Sequence, residues 1–172
     1  MSKILTVYFS IKGQTIGPGM TITNQEKGNT AMAAEFIRNA VGGDLFEIEA
    51  AKVYPEDHME LIDIAKKELN SHTRVEVKNY PDNFVKYDTV FFGYPNWWNT
   101  MPMVMFTFLE HYDWTGKRLI PFCTSEGSGF GLSIEDIKST AKNADVKEGI
   151  SLKGSQVKNM ESKISDWAKG QI

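Results

Sequence analysis

The chain is short of the groups on which most catalytic and covalent chemistry depends. One cysteine, Cys123, occurs in 172 residues, so no internal disulfide can form and nothing points to an oxidising compartment. Three histidines, His58, His72 and His111, are scattered and none lies beside the cysteine. No metal-ligand spacing results, and no metal ligand, acid, base or nucleophile is assigned. A G-x-x-x-x-G-K-[ST] motif is missing, which argues against an ATP-hydrolysing P-loop. A phosphoacceptor receiver needs an acidic pair after its first strand and an Asp closing its third, where this chain has Ser10 and Gly93-Tyr94. Basic charge is not in excess: 19 Lys and Arg stand against 22 Asp and Glu, a net charge of -3. A nucleic-acid partner is therefore not expected. The apolar run of MSKILTVYFS is too short for a signal peptide or a membrane span. A cytoplasmic protein without membrane insertion is the expectation.

What is present alternates. Lys3 to Phe9 is apolar and β-branched with few polar breaks, the pattern of a strand buried on both faces. Asn29 to Ala40 carries a helical stripe that ends at Gly42-Gly43. Further strands are predicted at Leu45–Ile48, Asp88–Gly93, Arg118–Cys123 and Val146–Leu152. Helices are predicted at Glu56–Leu69, Met103–Leu109, Leu132–Ala141 and Gln156–Lys169. The second helix should present Met59, Ile62, Ala65 and Leu69 on one face. Five strand-then-helix units imply right-handed crossovers and an α/β fold with a five-stranded parallel sheet covered on both sides. The units fill 1–172 as a single domain. Ligands of such sheets bind beyond the carboxyl ends of the strands, here after Phe9, Gly93 and Cys123.

The first of these loops is stretched. Between Ser10-Ile11-Lys12-Gly13 and the helix signal at Gly28-Asn29-Thr30 lies QTIGPGMTITNQEK, whose Pro-Gly turn and partial alternation suggest a small hairpin or flap at about 12–28. GNT places free backbone N–H groups, an amide and a hydroxyl at a helix N-terminus, which suits a phosphate. Asn29 or Thr30 acting simply as a helix cap is the plainer reading, and Ser10 tips the balance toward an anion. In the second loop, GYPNWWNTMP, two adjacent tryptophans follow a strand. Trp offers a large stacking face, although either ring could instead be a lid packed on the next helix. That plainer role is expected of one ring and not of both. In the third, TSEGSGFG, glycines let the backbone approach a ligand edge. The spacing fails G-x-G-x-x-G because Leu132 takes the sixth position. Cys123 reads as a core residue.

Together YFSIKG, GNT, GYPNWWNTMP and CTSEGSGFG resemble the flavodoxin family, in its variants with a tandem-Trp loop, over essentially the whole length. The resemblance implies a flavodoxin-like three-layer sandwich with strand order 2-1-3-4-5 and noncovalently bound FMN. It places the phosphate loop on Ser10, Lys12, Asn29 and Thr30. The first ring-binding loop falls on Pro95, Asn96, Trp97, Trp98, Asn99 and Thr100. The second falls on Thr124, Ser125, Glu126, Gly127 and Gly129. Asn99 stands where the family has a peptide that reorients on flavin reduction. The segment 14–26 departs from the compact loop of typical flavodoxins and could cover the cofactor. The implied role is electron transfer between redox partner proteins, a reductase and an electron acceptor, by a monomer or weak dimer. An NAD(P)H-dependent FMN or quinone reductase of the same fold is the alternative.

Overall fold

The continuous apolar run at the N-terminus becomes the strand β1 (Ile4–Tyr8), buried at all five positions, as a strand covered on both faces must be. The structure is a computed structural model and describes residues 3–172. After β1 the chain forms β2 (Gly13–Ile16) and β3 (Ile22–Gln25), then α1 (Asn29–Val41), β4 (Asp44–Glu47) and α2 (His58–Asn70). It continues through β5 (Thr89–Pro95), α3 (Met103–His111), β6 (Arg118–Ser125) and α4 (Ser133–Thr140). The short strands β7 (Asp145–Val146) and β8 (Ile150–Lys153) precede α5 (Glu161–Lys169).

The main sheet runs β4-β1-β5-β6, with β7 and β8 both on the far side of β6. All its pairings are parallel. With β7 and β8 taken as one interrupted fifth strand, this is the expected 2-1-3-4-5 order. Side chains alternate between two cores. Leu5, Val7, Val90 and Phe92 face α3 and α4, against Val104, Phe108 and Ile137. Ile4, Tyr8, Phe91 and Phe122 face α1 and α5, against Ala33, Ala34, Ile37 and Ile164. Among the described residues no helix is long and apolar enough to cross a membrane.

Two elements differ from expectation. The fifth strand is not continuous over Val146–Leu152. Leu119 pairs with Val146 and Phe122 with Ile150, so three steps on β6 face four on its neighbour. Lys147 N–H donates to the Leu119 carbonyl, which puts odd-numbered β6 residues on that side, Pro121 among them. Pro121 has no N–H to donate there, and pairing lapses until Gly149, at φ +79°, turns the chain back. The last helix is likewise split. Gly154–Asn159 is a 3-10 helix that keeps Val157 buried, and α5 starts only after Met160.

Helix α2 also presents a different face. Leu61, Ala65 and Glu68 are buried, while Met59 is exposed. The predicted flap is an antiparallel hairpin, Gly13 opposite Gln25 and Ile16 opposite Ile22. Its tip turns through Gly19 and Met20, both at positive φ.

Gly93, in mid-sheet, is a packing requirement. A Cβ there would occupy the ring of Phe122, its fully buried neighbour on β6. Gly93→Ala should lower unfolding stability by about 3 kcal/mol, or roughly 6–12 °C in Tm. Adding Phe122→Leu should recover part of that loss in urea denaturation. Strictly additive losses would disprove the clash.

Candidate functional site

The carboxyl ends of β1, β5 and β6 meet the N-terminus of α1 around a cleft of about 280 Å³, close to the lower end of small-molecule sites. Its polar end is built on the start of α1. The N-cap there, Gly28, has no side chain to offer. Ser10, arriving from β1, supplies the cap instead, its Oγ accepting the Ala31 N–H at 3.1 Å. A Cβ on Gly28 would collide with that Oγ and with the Ile11 carbonyl. The Thr30 hydroxyl is bound to the Thr124 hydroxyl at 2.7 Å, which fastens α1 to the end of β6. Asn29 Oδ1 accepts from Gln25 Nε2 at 3.1 Å. Neither Asn29 nor Thr30 caps the helix with its side chain, so the plainer reading of GNT does not hold. Their N–H groups lie in the first turn, where no intrahelical acceptor exists. These donors and the helix dipole favour an anion.

No lysine or arginine lines this cleft. Lys12, placed by the resemblance in the phosphate loop, instead lines a neighbouring concavity with Gly13, Glu26 and Glu56. Lys27 is paired with Glu35 at 2.6 Å. Register explains the displacement: Gly13 already opens β2 opposite Gln25, and Lys12 precedes it on the outer side of the hairpin.

The tryptophans occupy a two-residue turn. Trp97 and Thr100 exchange N–H···O bonds of 2.8 and 3.3 Å, and Trp98 and Asn99 between them have φ of 53° and 73°. This is the double positive-φ geometry of a type I′ turn, unusual for so bulky a residue as Trp. Outside contacts hold it. Trp98 Nε1 donates to the Ile62 carbonyl of α2 at 2.8 Å, and the Lys66 ammonium lies 4.4 Å from its ring centroid. Trp97 meets Phe9 and Tyr54 edge-on, at centroid separations of 5.4 and 5.3 Å. Both rings are thus packed on protein, and both keep a surface on the cleft. Burial and the Glu68 carboxylate push the Tyr54 phenol pKa well up, so it remains a donor to Glu68 at 2.9 Å.

Asn96 joins the two ring loops. Its Oδ1 accepts the Asn99 N–H at 2.9 Å, and its Nδ2 donates to the Gly129 carbonyl at 2.8 Å. Leu132 N–H donates to the Asn99 carbonyl at 2.7 Å, and the Thr100 hydroxyl donates to Asp136. Pro95, Asn96, Trp97, Trp98, Thr124, Ser125 and Glu126 line the cleft together with Ser10, Asn29 and Thr30. Asn99, Thr100, Gly127 and Gly129 do not line it, and hydrogen bonds place Asn99, Thr100 and Gly129 in the walls behind it. Cys123, fully buried, has its thiol pushed up to about 12 by burial and is inert as a nucleophile.

Sequence reasoning missed one wall. Ile16 and Met20 of the hairpin and His58, Leu61, Ile62 and Ala65 of α2 complete the cleft. The apolar stripe of α2 was visible, but a stripe does not distinguish a core from a ligand wall. Gln14 pins the hairpin to α2: its N–H donates to the Glu56 carbonyl at 3.1 Å, and its Oε1 accepts the His58 N–H at 3.1 Å.

Three buried side-chain oxygens among the described residues have no hydrogen-bond partner, and two of them, Gln25 Oε1 and Glu126 Oε1, belong to cleft-lining residues. Orphan acceptors in a cleft with an anion-binding end and an indole-lined wall define a nucleotide-type site for a flat aromatic ligand. A model of the flavodoxin family matches residues 3–170, and the chain belongs to that family. The cofactor this implies, FMN, fits the donor set: first-turn N–H groups for a phosphate, orphan acceptors for hydroxyl or ring N–H groups, and indole faces for the ring. A candidate flavoprotein from Bacteroides eggerthii is 34% identical, with 96% of this chain and 99% of that one aligned at a TM-score of 0.73. A second, from Bacteroides uniformis, is 27% identical over 98% of each chain, also at 0.73. A flavoprotein in complex with FMN from Lactobacillus acidophilus shares the fold at 18% identity and a TM-score of 0.65, over 92% of this chain and 98% of that one. No curated protein matches the chain.

Ser10→Ala removes the acceptor of the Ala31 N–H and should lower the stability of the FMN-free protein by about 1 kcal/mol. Urea denaturation without flavin measures this. Unchanged stability would mean that the hydroxyl does not cap α1.

Proposed function

We propose that this protein is an FMN-dependent electron carrier that passes low-potential electrons between a reductase and an acceptor. One observation carries the choice of carrier over the reductase alternative. The two tryptophans, each held by a second element, cannot both swing aside without breaking the Trp98–Ile62 hydrogen bond and the Trp97 edge contacts.

FMN, when bound, supplies the reversible uptake and release of electrons. The chain's own residues bind, orient and shield. The first turn of α1 and Ser10, Asn29 and Thr30 would hold the phosphate. Trp97 and Trp98 exclude water from the ring. Glu126, the one acidic side chain lining the cleft, would oppose negative charge gained on reduction and so lower the potential. Contact with protein partners would occur where the cleft-lining Trp98 and Met20 are exposed.

The decisive experiment is an anaerobic absorption spectrum of the FMN-loaded protein followed after addition of NADPH. The oxidised flavin band should persist until dithionite or a partner reductase is added. Rapid bleaching by NADPH alone would make the protein a reductase. Separately, Glu126→Gln should raise the midpoint potential of the bound flavin, on the order of 50 mV. A potential unchanged in redox titration would remove Glu126 from the electrostatics of the site.

A further inference from the structure

The hairpin that interrupts the first loop supplies one of the two unpartnered acceptors in the cleft. Gln25, on its return strand, spends its amide nitrogen on Asn29 Oδ1 at 3.1 Å and leaves its own oxygen buried without a donor. Glu126, on the glycine-rich loop, uses one carboxylate oxygen to accept the Ser155 N–H at 3.2 Å and leaves the other buried and bare. Both are linked to the surroundings of Asn29. Gln25 bonds to it directly, and Glu126 holds Ser155, whose neighbour Gly154 lies so near that a Cβ on it would stand 2.7 Å from Asn29 Nδ2. A buried acceptor is costly unless a donor reaches it, and no described side chain provides one.

The class of donor follows from charge. A carboxylate does not turn a free oxygen toward a phosphate, because like charges repel at short range. The aliphatic and aromatic residues opposite, Leu61, Ile62 and Trp98, have no use for an acceptor beyond the indole N–H, which is already bound to Ile62. Neutral hydroxyl groups between an anionic end and a flat ring meet both conditions.

We propose that Gln25 and Glu126 form a paired acceptor for the hydroxyls of a sugar-alcohol chain. The inserted hairpin is then part of the binding site, and the protein selects a polyol-bearing flavin over the bare ring. This rests on the FMN reading above and adds to it a specificity element that the hairpin contributes.

The test compares three probes by flavin fluorescence quenching: FMN, riboflavin, which lacks the phosphate, and lumiflavin, which lacks both phosphate and polyol. The natural protein should bind riboflavin at least tenfold more tightly than lumiflavin. Gln25→Met and Glu126→Met should each cut that preference about fivefold while leaving the preference for FMN over riboflavin unchanged. Ratios within one variant are insensitive to its folded fraction, and the two positions lie on separate elements, so a folding defect in one does not decide the matter. If both variants keep the full preference for riboflavin over lumiflavin, the proposal is overturned. It is equally overturned if the preference for FMN over riboflavin falls instead, because the oxygens would then serve the phosphate end. In both cases the FMN reading stands. A natural protein that binds none of the three probes sinks that reading and the proposal with it.

Discussion

The binding end of this molecule depends on where α1 begins. Its first turn must face the ends of β1 and β6 at close range, and only a glycine at position 28 permits that approach, because Ser10 Oγ and the Ile11 carbonyl occupy the space of a Cβ. With Gly28 in place, Ser10 takes the third N–H of the helix and leaves the earlier ones aimed outward. The Thr30–Thr124 hydroxyl bond then fixes the helix to the sheet. The residues that finish the helix also clear its dipole for an anion.

A second constraint works sideways along the sheet edge. The type I′ turn at Trp98-Asn99 places a bulky residue in left-handed backbone, which is unfavourable unless the surroundings enforce it. Here α2 grips the indole, Asn96 grips the Asn99 N–H, and Leu132 grips the Asn99 carbonyl. The turn that carries both tryptophans is thus held by three elements rather than by its own hydrogen bonds alone. Asn99 and Thr100 therefore work from behind the cleft surface, as the bonds that keep Trp97 and Trp98 in position.

The hairpin gives the site a cover that a compact loop could not. Its two ends are fastened to the two helices that matter, by Gln14 to the start of α2 and by Gln25 to Asn29. Its tip carries Met20 over the cleft. Any ligand that engages Asn29 is thereby in contact with the hairpin through a single hydrogen bond.

Much of this was legible in the sequence. The alternation of apolar β-branched runs with helical stripes determined the sheet, its parallel sense and the three loops at its carboxyl edge, because burial on both faces leaves a one-dimensional signature. Ser10, GNT, the tandem tryptophans and the start of the glycine loop stood out as loop residues at strand ends, and the structure gathers them around one cleft. Pro121 was visible too, but whether its missing N–H faced β5 or the fifth strand depended on register. Other features lay beyond any local pattern. That Lys12 points away from the cleft follows from hairpin pairing. That α2 walls the cleft, and that Asn99 and Thr100 stand behind its surface, follows from elements brought together across the fold. Periodicity tells which side of a helix is apolar; only the tertiary structure decides whether a core or a ligand lies against it.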